Sequence, residues 1–268
     1  MLFLLLACEP APSGDSGVSD DTGTESDTED TGEPGETGET GETGDTDTGE
    51  KGPCTSLTVA VPPGWGEATD DPALAWSDVA AAGFDCELTF VRLEHGFTVS
   101  DLEATGAEVA LLISTSGATQ QLTQDEVNAL VAFIEDGRGV LGTYYWSVGS
   151  DGNAGLAPTF GVTLPTSNMV ASPKTLAYEF IDHPLGTGLT SPVDPGGYKT
   201  AIHIGDDWLV GAEVVAETAE STPARILAYE GADHRAVWLG TFVEYETTTA
   251  DGHRLLYNSL VWAAGYTP

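Results

Sequence analysis

The chain has 268 residues, 40% of them hydrophobic, and a formal net charge of −35 at pH 7, from 43 Asp and Glu against 8 Lys and Arg. With no basic patch to release counterions, the balance argues against nucleic acid or an anionic membrane surface as a partner. Acidity on this scale otherwise favours solubility.

The chain opens MLFLLLACEP. The apolar run over residues 2–7 is far shorter than the ~20 residues of a membrane span. It reads as a secretory apolar core ending in a small residue before a cleavage point. Leu5-Leu6-Ala7-Cys8 resembles the lipobox of bacterial lipoproteins. That resemblance implies a signal peptide over residues 1–7, cleavage before Cys8, a diacylglyceryl thioether on the Cys8 sulfur and an acylated new amino terminus. Several acyl chains, each CH₂ contributing ~0.8 kcal/mol, hold a protein to a membrane stably. The expected location is the bacterial cell envelope, lipid-anchored at the outer membrane or cell surface.

Residues 8–53 have almost no large apolar side chain and run through GETGETGETGDTDTGE, with 15 Asp and Glu against the one cation Lys51. Such a segment buries too little apolar surface to offset its ordering entropy and is expected to be disordered. It is not collagen-like, because Pro does not fill the positions between glycines. As a coil it spans ~35–40 Å, and charge repulsion stretches it further. The reading is an acidic linker that holds a domain off a membrane. Ca²⁺ capture by the tract is the competing idea, but a loose chain does not preorganise a cage of 6–8 oxygens.

Residues 54–268 suit one domain. Leu57 to Val61 form a first strand, stopped by Pro62-Pro63-Gly64. Asp71-Pro72 opens a helix, with Asp at the N-cap and Pro at the first helical position. Leu74, Val79 and Ala82 share a face of that helix, and Gly83 closes it. Leu88 to Val91 form a second strand. Ser100 and Glu103 have capping-box spacing and mark a short helix. Residues 109–113, VALLI, are a continuous apolar run, as in a central parallel strand buried on both faces. Thr123 and Glu126 form a further capping box, followed by Val127, Leu130, Val131 and Ile134 at helical spacing, with Gly137 as the stop. A strand over residues 139–144 follows at once. This β-α-β-α-β-α-β order predicts a parallel sheet with helices on both faces.

The second half reads differently. Residues 155–161 form a turn of helix leading into a loop, and residues 166–205 are rich in Pro and Gly and carry no clear period. Strand-like runs over 208–215, 225–229 and 236–243, separated by turns at 221–223 and 231–234, suggest a meander. A last helix spans about 252–264, with Leu256, Leu260 and Ala263 on its inner face.

If Cys8 carries lipid, Cys54 and Cys86 remain, each just before one of the first two strands. Adjacent parallel strands bring those starts together, so a disulfide is expected outside the cytosol. Closing that loop of ~33 residues stabilises by ~3–4 kcal/mol in the chain-entropy picture. Two buried free thiols are the alternative. Zinc needs more ligands than this pair.

Three patterns line up in order. The first is the apolar strand followed by LTQDEVNALVAFIEDGRGVLG and the turn at Tyr144. The second is DHPLGTGL over residues 182–189. The third runs from AVWLG at 236–240 to NSLVWAA at 258–264. Together they resemble the class I glutamine-amidotransferase-like superfamily, nearest its ThuA-like and β-galactosidase trimerisation-domain-like branches. The resemblance covers most of residues 57–266. It implies a flavodoxin-like, doubly wound, mostly parallel α/β/α sheet, here with additional antiparallel strands in the C-terminal half. The amidotransferases of that superfamily place a Cys at the strand-to-helix elbow, completed by His and Glu. The matching position here is Tyr144, and ThuA-like proteins often place a His there. Acyl transfer needs a thiolate, and a phenol of pKa ~10 replaces it poorly at neutral pH. The amidotransferase chemistry is therefore not carried over.

Other chemistries lack their frames. Ser114 and Ser116 in STSGA do not sit in G-x-S-x-G, and no phosphate-binding glycine loop occurs. His203 with Asp206 and Asp207 reads as a turn rather than a metal site, and His183 as a turn-shaping residue. No cofactor and no metal are expected. In open α/β sheets ligands sit beyond the carboxyl ends of the strands. Those ends carry Trp65, Ser114, Ser116, Tyr144, Tyr145 and Trp146, joined by Glu244. Aromatic faces with hydroxyls and carboxylates suit a sugar, while packing that caps the sheet is the alternative. The expected function is a non-catalytic binding or assembly module at the envelope, its partner a carbohydrate or an envelope protein. A hydrolase or isomerase acting on a sugar at the same strand ends is the enzymatic alternative.

Overall fold

A computed structural model describes residues 51–63, 78–113, 122–143, 154–162, 167–170, 177–196, 201–204, 210–241 and 248–268. All lie in one compact unit, Asp47–Pro268. Its centre is the strand expected from the apolar run, β3 (Val109–Leu112), buried along its whole length. On one side β3 pairs in parallel with β1 (Ser56–Val61), which pairs in parallel with the edge strand β2 (Glu87–Arg92). On the other side it pairs in parallel with β4 (Gly139–Thr143).

The C-terminal half joins the same sheet. β10 (Arg235–Leu239) lies parallel to β4, β9 (Arg225–Glu230) antiparallel to β10, and β8 (Ala212–Thr218) antiparallel to β9. The short β6 (Tyr178–Phe180) closes the edge against β8. The order is β2-β1-β3-β4-β10-β9-β8-β6, and β5 (Ser167–Val170) pairs separately with β7 (Ala201–Ile204). The expected fold class holds: flavodoxin-like α/β with antiparallel strands in the C-terminal half.

Alternation along the strands splits the core into two faces. Leu57, Val59, Val61, Val109, Leu111, Leu141, Val237 and Leu239 face the C-terminal helix α3 (Ala250–Ala263) and Val79 of the helical residues 78–81. Ala60, Ala110, Leu112, Val140, Ala236 and Trp238 face α1 (Val99–Ala104), α2 (Gln124–Glu135) and the 3-10 turn Ala154–Phe160. Gly139 is required by this packing, since a Cβ there would lie 2.2 Å from the Ala263 carbonyl oxygen.

Several expectations shift. The N-cap of α1 is Thr98, boxed with Asp101, rather than Ser100 with Glu103. Both pairs have the same spacing, but it is Thr98 that exchanges bonds with its partner: its hydroxyl accepts from the Asp101 N–H and its N–H donates to the Asp101 carboxylate. Ala82 is exposed, because the helix before it ends at residue 81. The strand expected from 208 begins at Ala212, after Gly211. That glycine has φ 96° and stands where a Cβ would be 2.4 Å from the Glu230 carbonyl oxygen. The last strand begins at Arg235 and ends at Leu239, and the last helix begins at Ala250 behind the N-cap Thr249. The helix opening at Asp71-Pro72 lies outside the described residues.

Among the described residues, contacts of the folded unit begin at Lys51. Its N–H donates to the Gly265 carbonyl, its Nζ lies 2.7 Å from Glu108 and sits 4.7 Å from the Tyr266 ring centre. Three residues on, Cys54 and Cys86 form the expected disulfide, with Cα atoms 5.1 Å apart. In Cys8→Ser protein, reduction should expose two alkylatable thiols and lower the unfolding free energy in urea by ~3–4 kcal/mol. An unchanged alkylated mass would contradict the bond.

Candidate ligand-binding site

The parallel strands β2, β1, β3, β4 and β10 all end at one edge of the sheet. Trp65, Ser114, Ser116, Tyr144, Tyr145, Trp146 and Glu244 lie outside the described residues, as does Cys8. What the sheet fixes is the order of the strands that lead to them. Val61 of β1 precedes Trp65, Ile113 after β3 precedes Ser114, Thr143 ends β4 just before Tyr144, and Thr241 follows β10 before Glu244. β1, β3, β4 and β10 are consecutive neighbours near the middle of the sheet. The ends of these strands, Val61, Leu112, Thr143 and Leu239, are thereby neighbours at one edge although 31 to 178 positions apart in sequence.

At the floor of that edge Thr143 and Thr241 are both fully buried, and the Thr241 hydroxyl has no hydrogen-bond partner among the described residues. Leu239 pairs with Thr143 across β10 and β4. Sequence patterning gave Thr241 no distinction, because a lone Thr after an apolar strand has no signature.

A polar cluster is built on Glu126 in the first turn of α2, whose side chain is 1% exposed. One carboxylate oxygen, Oε1, accepts from the Gly96 N–H at 2.7 Å and lies 3.1 Å from His95 Nδ1. The other, Oε2, accepts from the Thr123 N–H at 2.6 Å and from its hydroxyl at 2.9 Å. The capping box at the start of α2 was legible. Its second use, clamping the loop after β2 onto α2, was not, since it depends on a residue thirty positions away. Burial pushes the Glu126 carboxyl up, but the Thr123 and Gly96 N–H groups, the Thr123 hydroxyl and His95 outweigh it and hold it below the usual range. An open cavity of about 420 Å³ adjoins the cluster, lined by Phe97, Thr98, Val99, Thr123, Asp125 and Asn128 among others. With both oxygens engaged, Glu126 is a structural anchor rather than a free base.

The opposite end of the sheet is a docking point. His183 shapes a turn, as expected: its Nδ1 accepts from the Leu185 N–H at 3.2 Å, capping the 3-10 turn Pro184–Gly186. Asn258, fully buried on α3, donates to the carbonyls of Leu185 and Thr187, both at 2.9 Å. The HPLGTG segment and the NSLVWAA segment are thus packed together. His203 lies in β7, while Asp206 and Asp207 are outside the described residues. Among the described residues no three His, Cys, Asp or Glu side chains form a group that would hold a metal ion.

No protein-family model and no curated protein matches the sequence. Solved structures do share the fold. A cytoplasmic protein of Salmonella typhimurium is similar over 77% of this chain and 98% of its own, with 11% identity and a TM-score of 0.52. A second cytoplasmic protein, of Salmonella typhimurium LT2, is similar over 78% and 97%, with 9% identity and a TM-score of 0.51. A ThuA-like protein of Bacteroides uniformis has 13% identity over 80% of this chain and 92% of its own, with a TM-score of 0.48.

Glu126→Ala strands two backbone donors and should cost about 2–4 kcal/mol in urea unfolding. The lowered pKa of Glu126 contributes stability that is present above the ordinary carboxylate range and lost as pH falls through the folded value. A Glu126→Gln variant should lose that part of the acid dependence, and an unaltered pH profile would contradict the assignment.

Proposed function

We propose that this chain is a lipid-anchored envelope protein whose α/β domain binds a ligand at the carboxyl ends of β1, β3, β4 and β10 without transforming it. Carbohydrate is the favoured class. One observation carries the non-catalytic half of this reading. The elbow after β4 continues from Thr143 into Tyr144-Tyr145-Trp146, while Cys54 and Cys86 are bonded to each other at the amino ends of β1 and β2. The superfamily's acyl transfer needs a thiolate at the elbow. The domain's thiols are instead consumed at the other end of the sheet.

Carbohydrate is favoured by the chemistry of the segments led to one edge: three aromatics in succession after β4, Trp65 after β1, two serines after β3 and Glu244 after β10. Rings offer flat faces to sugar C–H groups, and a few placed hydroxyls and carboxylates orient the ligand. The anchor reading rests on Leu5-Leu6-Ala7-Cys8 and the acidic linker behind it. Lys51, the first described residue, lies beside Glu108 at the amino end of β3, the opposite edge of the sheet from the proposed site.

A glycan array probed with the full-length protein should show binding to one structural class. Tyr144→Ala should weaken it tenfold or more with an unchanged melting temperature. A flat array would remove the carbohydrate reading, and release of a shortened or isomerised sugar would overturn the non-catalytic one. Metabolic labelling with palmitate should mark the wild type and not Cys8→Ala, and equal labelling would contradict the anchor.

A further inference from the structure

Residues 183–196 run along α3 from its last turn to its first. At the start, the His183 ring meets Trp262 edge-on, with centroids 5.2 Å apart. Next, the Leu185 and Thr187 carbonyls accept from Asn258, and Gly188 lies against Arg254. At the far end the Thr249 N–H donates to the Pro195 carbonyl at 3.1 Å, and the Thr249 hydroxyl to the Asp194 carbonyl at 2.7 Å. Gly252 admits Pro195 so closely that a Cβ there would lie 2.1 Å from its carbonyl oxygen. The segment is a strap whose far end holds the first turn of α3, and Thr248 precedes that turn on the way from β10.

The near end of this strap depends on one protonation state. His183 Nδ1 accepts the Leu185 N–H, so the neutral ring carries its proton on Nε2, which lies 3.4 Å from Glu213 Oε1. An imidazolium has two N–H donors and no acceptor, so protonation removes the Leu185 bond and sets two donors against each other. The charged groups that face the ring come from every strand packed beside it. Glu213 on β8 is half exposed and screened by solvent. Glu230 on β9 is bonded to Arg235 on β10 through both Nε at 2.9 Å and Nη2 at 2.7 Å. α3 presents the uncharged Trp262, and Asp182 directly precedes His183 in the chain. The His183 side chain is 8% exposed. Burial, then Arg235, lowers its pKa to about 4, against a smaller opposing pull from Glu230.

We infer that His183 is an acid-sensitive latch, which on protonation lets go of Leu185 and loosens the strap along α3 as far as the helix's first turn. The direction follows from linkage. The docked ring takes a proton only near pH 4, the undocked ring near the ordinary value of 6.5. Docking is therefore fully favoured above pH 6.5 and weakens as pH falls toward 4, on the order of tenfold by pH 5. On the envelope location proposed above, the domain meets such a change directly. The latch itself does not depend on which ligand the strand ends take.

Amide hydrogen exchange on ¹⁵N-labelled full-length protein tests this at Leu185, next to the latch, and Thr249, at the far end. Rates are corrected for the intrinsic effect of pH. Protection at both should fall about tenfold from pH 7 to pH 5 in the wild type. His183→Asn keeps a capping acceptor without a titrating ring and should hold its protection at both pH values. His183→Ala should have low protection at both. Constant protection in the wild type overturns the latch. A fall at Leu185 with none at Thr249 overturns its transmission along the strap. An equal fall in His183→Asn assigns the sensitivity to another group. Should either variant fail to fold, the wild-type His183 ring nitrogens decide, because they must titrate in step with the loss of protection. Titration out of step with it overturns the assignment.

Discussion

The parallel pairing of β4 with β10 holds the two halves of this domain in one sheet. Val140 to Thr143 lie register to register with Ala236 to Leu239, about 95 positions later in the chain. Both strands are buried on both faces, so every alternate side chain on each belongs to a different core. A one-residue slip would exchange those cores. Gly139 sits at the start of this pairing and lets the end of α3 approach within van der Waals contact of the backbone. Once this pair forms, β3, β1 and β2 extend the sheet one way and the β9, β8 and β6 meander extends it the other.

Much of this was legible because it rests on local signals. The run VALLI announced a strand buried on both faces, and Thr123 with Glu126 announced the start of α2. The Cys54–Cys86 bond followed from two cysteines at the starts of neighbouring parallel strands. What escaped was set by partners distant in sequence. β6 is three residues long and exists because β8 offers it an edge. Asn258 reads as an ordinary polar residue in an apolar helix until its two carbonyl partners come from the strap. Glu126 showed its cap but not its grip on Gly96. Spacing alone put the cap of α1 at Ser100 with Glu103, whereas the hydrogen bonds place it two residues earlier, at Thr98 with Asp101.

The candidate site shows the same division. The β-α-β pattern and the resemblance of its motifs implied a parallel sheet, and its parallel strands do end at one edge. The buried Thr143 and Thr241 beneath it were not implied, because burial of a hydroxyl is a property of the assembled sheet. The polarity of the strands also separates tasks. Lys51 with Glu108 and Tyr266, the disulfide and the His183 turn gather at the amino ends of the parallel strands. The carboxyl ends are the edge at which open α/β sheets generally take ligands.

The most direct test of a ligand-binding, non-catalytic domain is chemical-shift mapping of the ¹⁵N-labelled protein with the glycan that scores highest on an array. The account predicts saturable shifts concentrated at Val61, Ile113, Thr143 and Thr241, with Cys54 and Trp262 unmoved and the sugar signals unaltered over days. Shifts centred on the amino ends of the strands, or the appearance of product signals, would contradict it.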